Sequence, residues 1–69
     1  SLGENHSVVE LRVPASFLWQ SLAQTDIRNI YGVTVLAVQR GNAVEVAPPA
    51  DYILQQDDVP ACSSNFMIK

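Results

Sequence analysis

Cysteine is nearly absent from this chain. Cys62 stands alone, so no intramolecular disulfide can form. Histidine is also single, and without a Cys/His cluster there is no structural zinc site. Charge is sparse: Lys and Arg number 4 against 7 Asp and Glu, for a net charge of -3. A chain with no basic patch is unsuited to nucleic acid. No run of about 18 apolar residues occurs, so the segment does not itself span a bilayer. The N-terminus lacks the basic and apolar regions of a signal peptide, and the expected location is the cytoplasm.

Hydrophobic residues, in contrast, make up 48% of only 69 residues. A domain of this size buries a modest fraction of its surface and is marginal alone. With disulfide and zinc excluded, the expected source of extra stability is oligomerisation or attachment to a larger protein. The apolar surplus points the same way, to a buried interface.

Ser1 to Ser7 is polar and reads as a linker end, or as a leftover of expression at Ser1-Leu2-Gly3; residues 8–69 read as one domain. Val8 to Val13 alternates, with Val9, Leu11 and Val13 on one face and Glu10 and Arg12 on the other, the pattern of a half-buried strand that Pro14 ends. Ser16 is a candidate helix N-cap, followed by Leu18 and Leu22 at helical spacing. Thr25-Asp26 offers a second cap before Ile27 and Ile30, and Gly32 stands where a left-handed C-terminal residue is wanted. One helix, or two short ones broken near Thr25, is expected between residues 17 and 31.

Val33 to Gln39 is apolar on both faces, which predicts a strand that is central or lies under an interface. Arg40-Gly41-Asn42 is a turn, and Ala43 to Val46 returns as the second strand of a hairpin. Pro48-Pro49 stops it. Asp51 to Leu54 is a short extended piece, and Gln55 to Asp58 a polar turn. Val59 to Cys62 is a last strand, and Pro60 within it predicts an edge position or a bulge. From Ser63 a helix begins that the chain barely enters. The expected class is α+β: a small, mainly antiparallel sheet with one helix or two short ones packed on one face, in β-α-β-β-β order.

These words, in this order, resemble the TrkA C-terminal domain, also called the RCK C-lobe, of bacterial potassium-transport regulators. The resemblance rests on Glu10-Leu11-Arg12-Val13-Pro14, Ser21-Leu22, Ile27-Arg28, Tyr31-Gly32, the apolar strand closing on Arg40-Gly41, then Pro48, Pro49, Asp51, Leu54 and Asp57-Asp58. It covers roughly residues 8 to 65. Three departures stand out. Trp19-Gln20 occupies the family's Gly-Lys at the helix start, Asp57-Asp58 replaces a Gly-Asp turn, and the last strand carries Pro60 and Cys62. The family's final helix is mostly missing.

The resemblance implies a cytoplasmic, non-enzymatic domain that pairs as a homodimer and reports to a membrane-embedded ion channel or transporter subunit. It also implies a small ligand at the dimer interface, which is cyclic di-AMP in several members and a metal ion or nothing known in others; no cofactor is expected. The implied contact positions are Ile27, Arg28, Ile30, Thr34 and Pro48. At the strand position the binders often carry asparagine; Thr34 keeps a hydroxyl but loses the amide fork. The alternative is a ligand-free structural dimerisation module of a transporter or antiporter.

Each candidate residue also has a plain structural reading. Arg28 can hold a phosphate with its planar fork, or complement the helix dipole, or pair with Asp26 or Glu10. Arg40 reads as a solvated turn residue or a rim ion pair worth little. Glu10, His6 and Asp51 lack a spacing that assures a hard cation its several oxygens, and Glu10 reads as a solvent-facing strand residue. Asp57-Asp58 reads as capping or solvated turn carboxylates. Cys62 has no activating neighbour in sequence and reads as a small apolar filler. Trp19 is core or an interface anchor, and Tyr31 packs the helix end. No nucleophile or acid–base set can be assembled, so the expectation is a chain that is not an enzyme.

Overall fold

The longest element is the strand that the apolar run predicts. In the computed structural model, which describes residues 7–64, Val33–Arg40 forms one strand, β2. It lies inside a four-stranded antiparallel sheet of order β1-β4-β2-β3, where β1 is Val8–Glu10, β3 Ala43–Val46 and β4 Val59–Ser64. Two short helices, α1 (Leu22–Thr25) and α2 (Ile27–Tyr31), follow β1 in the chain. The class is α+β as expected.

The helical region is shorter than its spacing suggests. Ala15–Phe17 is a single 3-10 turn preceded by Pro14, so Ser16 lies inside a turn and caps nothing. The cap is Ser21, whose hydroxyl accepts from the Gln24 amide at 3.1 Å while the Gln24 side chain accepts from the Ser21 amide at 2.9 Å. Residues 18–20 cannot join a helix because their backbone is committed elsewhere. The Trp19 amide donates to the Leu54 carbonyl at 2.7 Å, and Leu54 donates back to Gln20 at 2.9 Å.

The break near Thr25 is present. Asp26 adopts a left-handed conformation, φ 55, between the two helices. The buried Thr25 hydroxyl bridges the break, donating to the Leu22 carbonyl and accepting from the Ile27 amide. Gly32 stops α2 at φ 63, where a side chain would be strained.

Two expectations at the C-terminal end are corrected. Strand β4 is central, between β1 and β2, so Pro60 does not mark an edge; the alternative, a bulge, is present in the β2–β4 ladder, on the β2 side. Residues along an antiparallel strand direct their backbone groups alternately to each neighbour. The Leu11 amide donates to the Pro60 carbonyl at 2.9 Å, so residue 60 faces β1. The return bond, from residue 60 to Leu11, needs an N–H that proline lacks. The sheet therefore gives up one bond where β1 ends, and β1 stops at Glu10 instead of reaching Val13. The second correction is that the strand runs on through Ser63 and Ser64, past its expected end at Cys62. Residues 1–6 and 65–69, with the linker and truncated-helix expectations that fall on them, lie outside the described residues.

The ladder register assigns the faces, since directly opposed residues share one. Val35 opposite Cys62 and Val38 opposite Pro60 face the helices; Thr34 opposite Ser63 and Ala37 opposite Ala61 face the other way. The register shifts between Val35 and Ala37, making Leu36 the extra residue of a β-bulge. The core is Phe17, Ile27, Val33, Val38, Leu54 and Cys62, with Leu11, Val13, Leu22, Val35 and Tyr52 packed against it. The opposite face has no helix over it among the described residues, and Val8, Val44 and Val46 stand exposed.

Candidate functional site

The junction of α1, α2 and the start of β2 forms a groove of about 350 Å³. Ile27, Arg28 and Thr34 line it with Val35, and Pro48 and Ala50 form its opposite wall. Four of the five implied contact positions thus share one concavity, although Pro48 is fourteen residues beyond Thr34 in the chain. The fifth, Ile30, does not line it and lies 58% exposed on α2.

Local structure explains how these residues meet. The left-handed Asp26 starts α2 with Ile27 buried and Arg28 exposed. Gly32 then ends α2 at φ 63, and Thr34, two residues on in β2, lines the same groove as Ile27. On the far side, Ala47 follows β3 with φ 50, its amide donating to the Leu36 carbonyl at 2.8 Å. That bond bends Pro48 towards the helices, and the Ala23 amide fixes the Ala50 carbonyl at 3.0 Å.

Arg28 forms no ion pair with Asp26 or Glu10 among the described residues. One Asp26 oxygen, Oδ1, accepts from the Asn29 side chain at 2.8 Å. The groove therefore offers an exposed guanidinium, a threonine, and apolar surface from Ile27, Val35 and Pro48. Such a combination suits a ligand with an anionic group and a flat apolar part.

A larger groove, about 530 Å³, opens between Glu10–Val13 and Gln56–Val59, where Pro60 ends the pairing of β1 with β4. Arg12 stands there among Glu10, Asp57 and Asp58, and the Asp58 carboxylate is already engaged by Arg40. Its polar groups do not converge on one charge.

Of the turn readings, the ion pair holds for Arg40 and capping holds for Asp58, but the carboxylate is buried and not solvated. Arg40 donates from Nε to Asp58 Oδ1 at 2.9 Å and from a terminal nitrogen to Oδ2 at 2.8 Å. The same terminal nitrogen reaches the Ile53 carbonyl at 2.9 Å, and the guanidinium lies 4.8 Å from the Tyr52 ring centroid. The Gln55 amide also donates to Asp58 Oδ2 at 2.8 Å. Burial by itself pushes the Asp58 carboxyl up. The Arg40 hydrogen bonds, the Gln55 amide and the Arg40 charge outweigh it and hold the carboxyl below its usual range, while Arg40 is raised. Arg40 is therefore a structural anchor that ties the end of the β2–β3 hairpin to the segment 52–58. A sequence signal existed in the family resemblance, which matches both positions, but the eighteen-residue separation hid the pairing.

The remaining candidates are structural or exposed. Burial pushes the Cys62 thiol up, as suits a core filler. Tyr31 meets Phe17 edge-on, with centroids 6.1 Å apart. Trp19 is 65% exposed and is not core. His6 lies outside the described residues, and among those described no three His, Cys, Asp or Glu gather to hold a metal.

No family model matches the chain. The Ktr system potassium uptake protein C of Bacillus subtilis (strain 168) is 36% identical over 58 residues, which is 84% of this chain but only 26% of that protein. The chain thus spans about a quarter of that curated relative. Among solved structures, the RCK C domain of the potassium transport protein KtrA, in complex with cyclic diadenosine monophosphate, superposes with a TM-score of 0.77. The two are 30% identical, and the match covers 86% of this chain and 69% of that one. The GsuK RCK domain matches at a TM-score of 0.80 with 19% identity, over 88% of this chain and 14% of that one, a likeness of fold. Sequence motifs, sheet topology and the match to most of the KtrA domain agree: the chain belongs to the RCK C domain (TrkA C-terminal domain) family.

Proposed function

We propose that this chain is a ligand-sensing, dimerising cytoplasmic regulatory domain of a potassium channel or other ion transporter, and that it binds cyclic di-AMP. One observation carries the ligand reading: Ile27, Arg28, Thr34 and Pro48 line a single groove in a fold shared with a KtrA domain solved with that ligand. In this reading Arg28 takes a phosphate of the ligand, and Ile27 and Pro48 pack against its apolar surface. Ile30, exposed beside the groove, meets the ligand from the rim or across a dimer seam. Pairing of two copies is supported by the exposed valines on the uncovered sheet face and by the small size of the core.

A ligand that binds one dimer arrangement better than another shifts the population between them, and an attached transporter subunit would respond to that shift. The competing reading is a dimerisation module without a ligand. Isothermal calorimetry with cyclic di-AMP separates the two. Binding in the micromolar range, weakened at least about tenfold by Arg28→Ala, is expected, consistent with the loss of about 1.4 kcal/mol or more from a charged hydrogen bond. A flat trace up to millimolar ligand would remove cyclic di-AMP and favour the structural module.

A further inference from the structure

Residues 47–58 contain neither a helix nor a strand, only an isolated bridge between Ser21 and Ile53. The segment nevertheless walls both grooves. Pro48 and Ala50 line the one beside the helices, and Gln56, Asp57 and Asp58 the larger one. Its shape therefore rests on what fastens it. On the helical side the Ala23 amide donates to the Ala50 carbonyl and the Leu22 amide to the Tyr52 carbonyl, each at 3.0 Å. Within the segment the Tyr52 amide donates to the Pro49 carbonyl, also at 3.0 Å, which closes a turn over Ala50 and Asp51.

From the sheet, Arg40 reaches the same turn. At the end of β2 its guanidinium is locked on the Asp58 carboxylate by two bonds, at 2.9 and 2.8 Å, and the Asp58 side chain is 0% exposed. From that fixed position one terminal nitrogen also donates to the Ile53 carbonyl at 2.9 Å, and the guanidinium carbon stands 4.8 Å from the Tyr52 ring centroid. A planar fork with a flat face can serve carboxylate, carbonyl and ring together; a lysine ammonium is a point charge and cannot. Tyr52 carries the restraint on to Pro49 through its amide. Arg40 does not line the groove beside the helices, so it touches no ligand there. We propose that Arg40 is a positioning residue: by holding residues 52 and 53 it sets the wall of Pro48 and Ala50 opposite Arg28 before the ligand arrives. This inference rests on the ligand reading above. Apparent affinity falls in proportion to the fraction of chains whose wall is in place, so a loosened wall weakens binding without the loss of any contact residue.

Arg40→Lys keeps a charge for Asp58 and loses the fork. Calorimetry with cyclic di-AMP should show about fivefold to tenfold weaker binding than in the parent, as for a wall in place roughly a fifth to a tenth of the time. In the 15N-labelled chain the Ala23 and Tyr52 amide protons report the wall. Both should shift upfield in free Arg40→Lys and return to the parent's bound positions at saturating ligand, a recovery that a general loss of stability does not produce. Val9→Ala, in β1 and outside both grooves, is destabilised in its own right and should bind like the parent. If Arg40→Lys does not fold, Tyr52→Leu removes the ring and keeps the backbone bonds; about threefold weaker binding is expected, the worth of a cation–π contact. Unchanged affinity in the variant that folds, unmoved amides at positions 23 and 52, or an equal loss in Val9→Ala overturns the positioning role and leaves the ligand reading standing. No binding of cyclic di-AMP by the parent chain overturns both.

Discussion

Trp19 and Asp57 share an unusual backbone. Both lie in the left-handed region, at φ 66 and φ 69, and both stand where the family pattern has glycine. For a side chain other than glycine this region costs roughly 1–2 kcal/mol, less for aspartate. Glycine would relieve the strain but loosen the unfolded chain, so the net gain is smaller. Trp19→Gly is expected to stabilise the monomer by about 0.5–1 kcal/mol in urea unfolding, and Asp57→Gly by less. A destabilised Trp19→Gly chain would mean that the exposed indole packs against something that offsets its strain. Asp58 is the opposite case, a fully buried carboxylate with three donors on it. Breaking a buried pair costs roughly 3–5 kcal/mol, and the partial exposure of Arg40 reduces this, so Asp58→Ala should cost about 2–3 kcal/mol. The acid response follows from the lowered carboxyl. As pH falls, the unfolded chain takes up this proton first. The contribution of Asp58 is thus complete above the ordinary carboxylate range near ~4 and is lost as pH drops through the lower folded-state value. An unfolding series across acid pH should lose stability less steeply in Asp58→Asn than in the parent.

The helices are too short to hold themselves. Segments of 4 and 5 residues lie far below the length at which a helix is stable alone, so their ends and their burial decide whether they form. Ser21 supplies the capping box for α1 and is itself buried. Ser21→Ala should cost about 1 kcal/mol in global unfolding. It should also quicken exchange of the Gln24 amide, which loses its acceptor; unchanged protection at Gln24 would argue against the cap. At the sheet, the proline in β4 and the bulge in β2 are the two local exceptions to regular pairing. Each lies next to one of the grooves. Pro60 ends β1 and lets residues 10–13 diverge from 56–59, while the Leu36 carbonyl turns outward to hold Ala47 and start the wall made by Pro48.

Among the described residues, one face of the sheet is well covered and one is open. The helices and the 52–58 segment cover the first; on the second, Val8, Val44 and Val46 meet solvent, with 57%, 57% and 73% of their surface exposed. A monomer of this size gains little from a core of six buried apolar side chains. If two copies pair, association adds to the folding free energy by mass action. The thermal midpoint should then rise with chain concentration over the range in which sedimentation equilibrium detects dimer. A midpoint independent of concentration, with a monomer throughout, would contradict pairing.

The order of elements was written in local chemistry. The apolar run of β2, the Gly32 stop, the Gly41 turn and the break near Thr25 are all properties of a few adjacent residues, and each is found where the sequence puts it. The family, too, was legible, because its motifs are short words in a fixed order. Tertiary structure decided what depends on residues distant in the chain. It placed β4 at the centre in spite of Pro60, because the single bond lost there falls at the end of β1. It moved the helix cap from Ser16 to Ser21, because residues 19 and 20 bond to Leu54. It turned Arg40 from a surface residue into the partner of a buried Asp58. And it brought Pro48 across to Arg28 and Thr34, since only the folded hairpin, with its bend at Ala47, sets the two sides of the groove opposite each other.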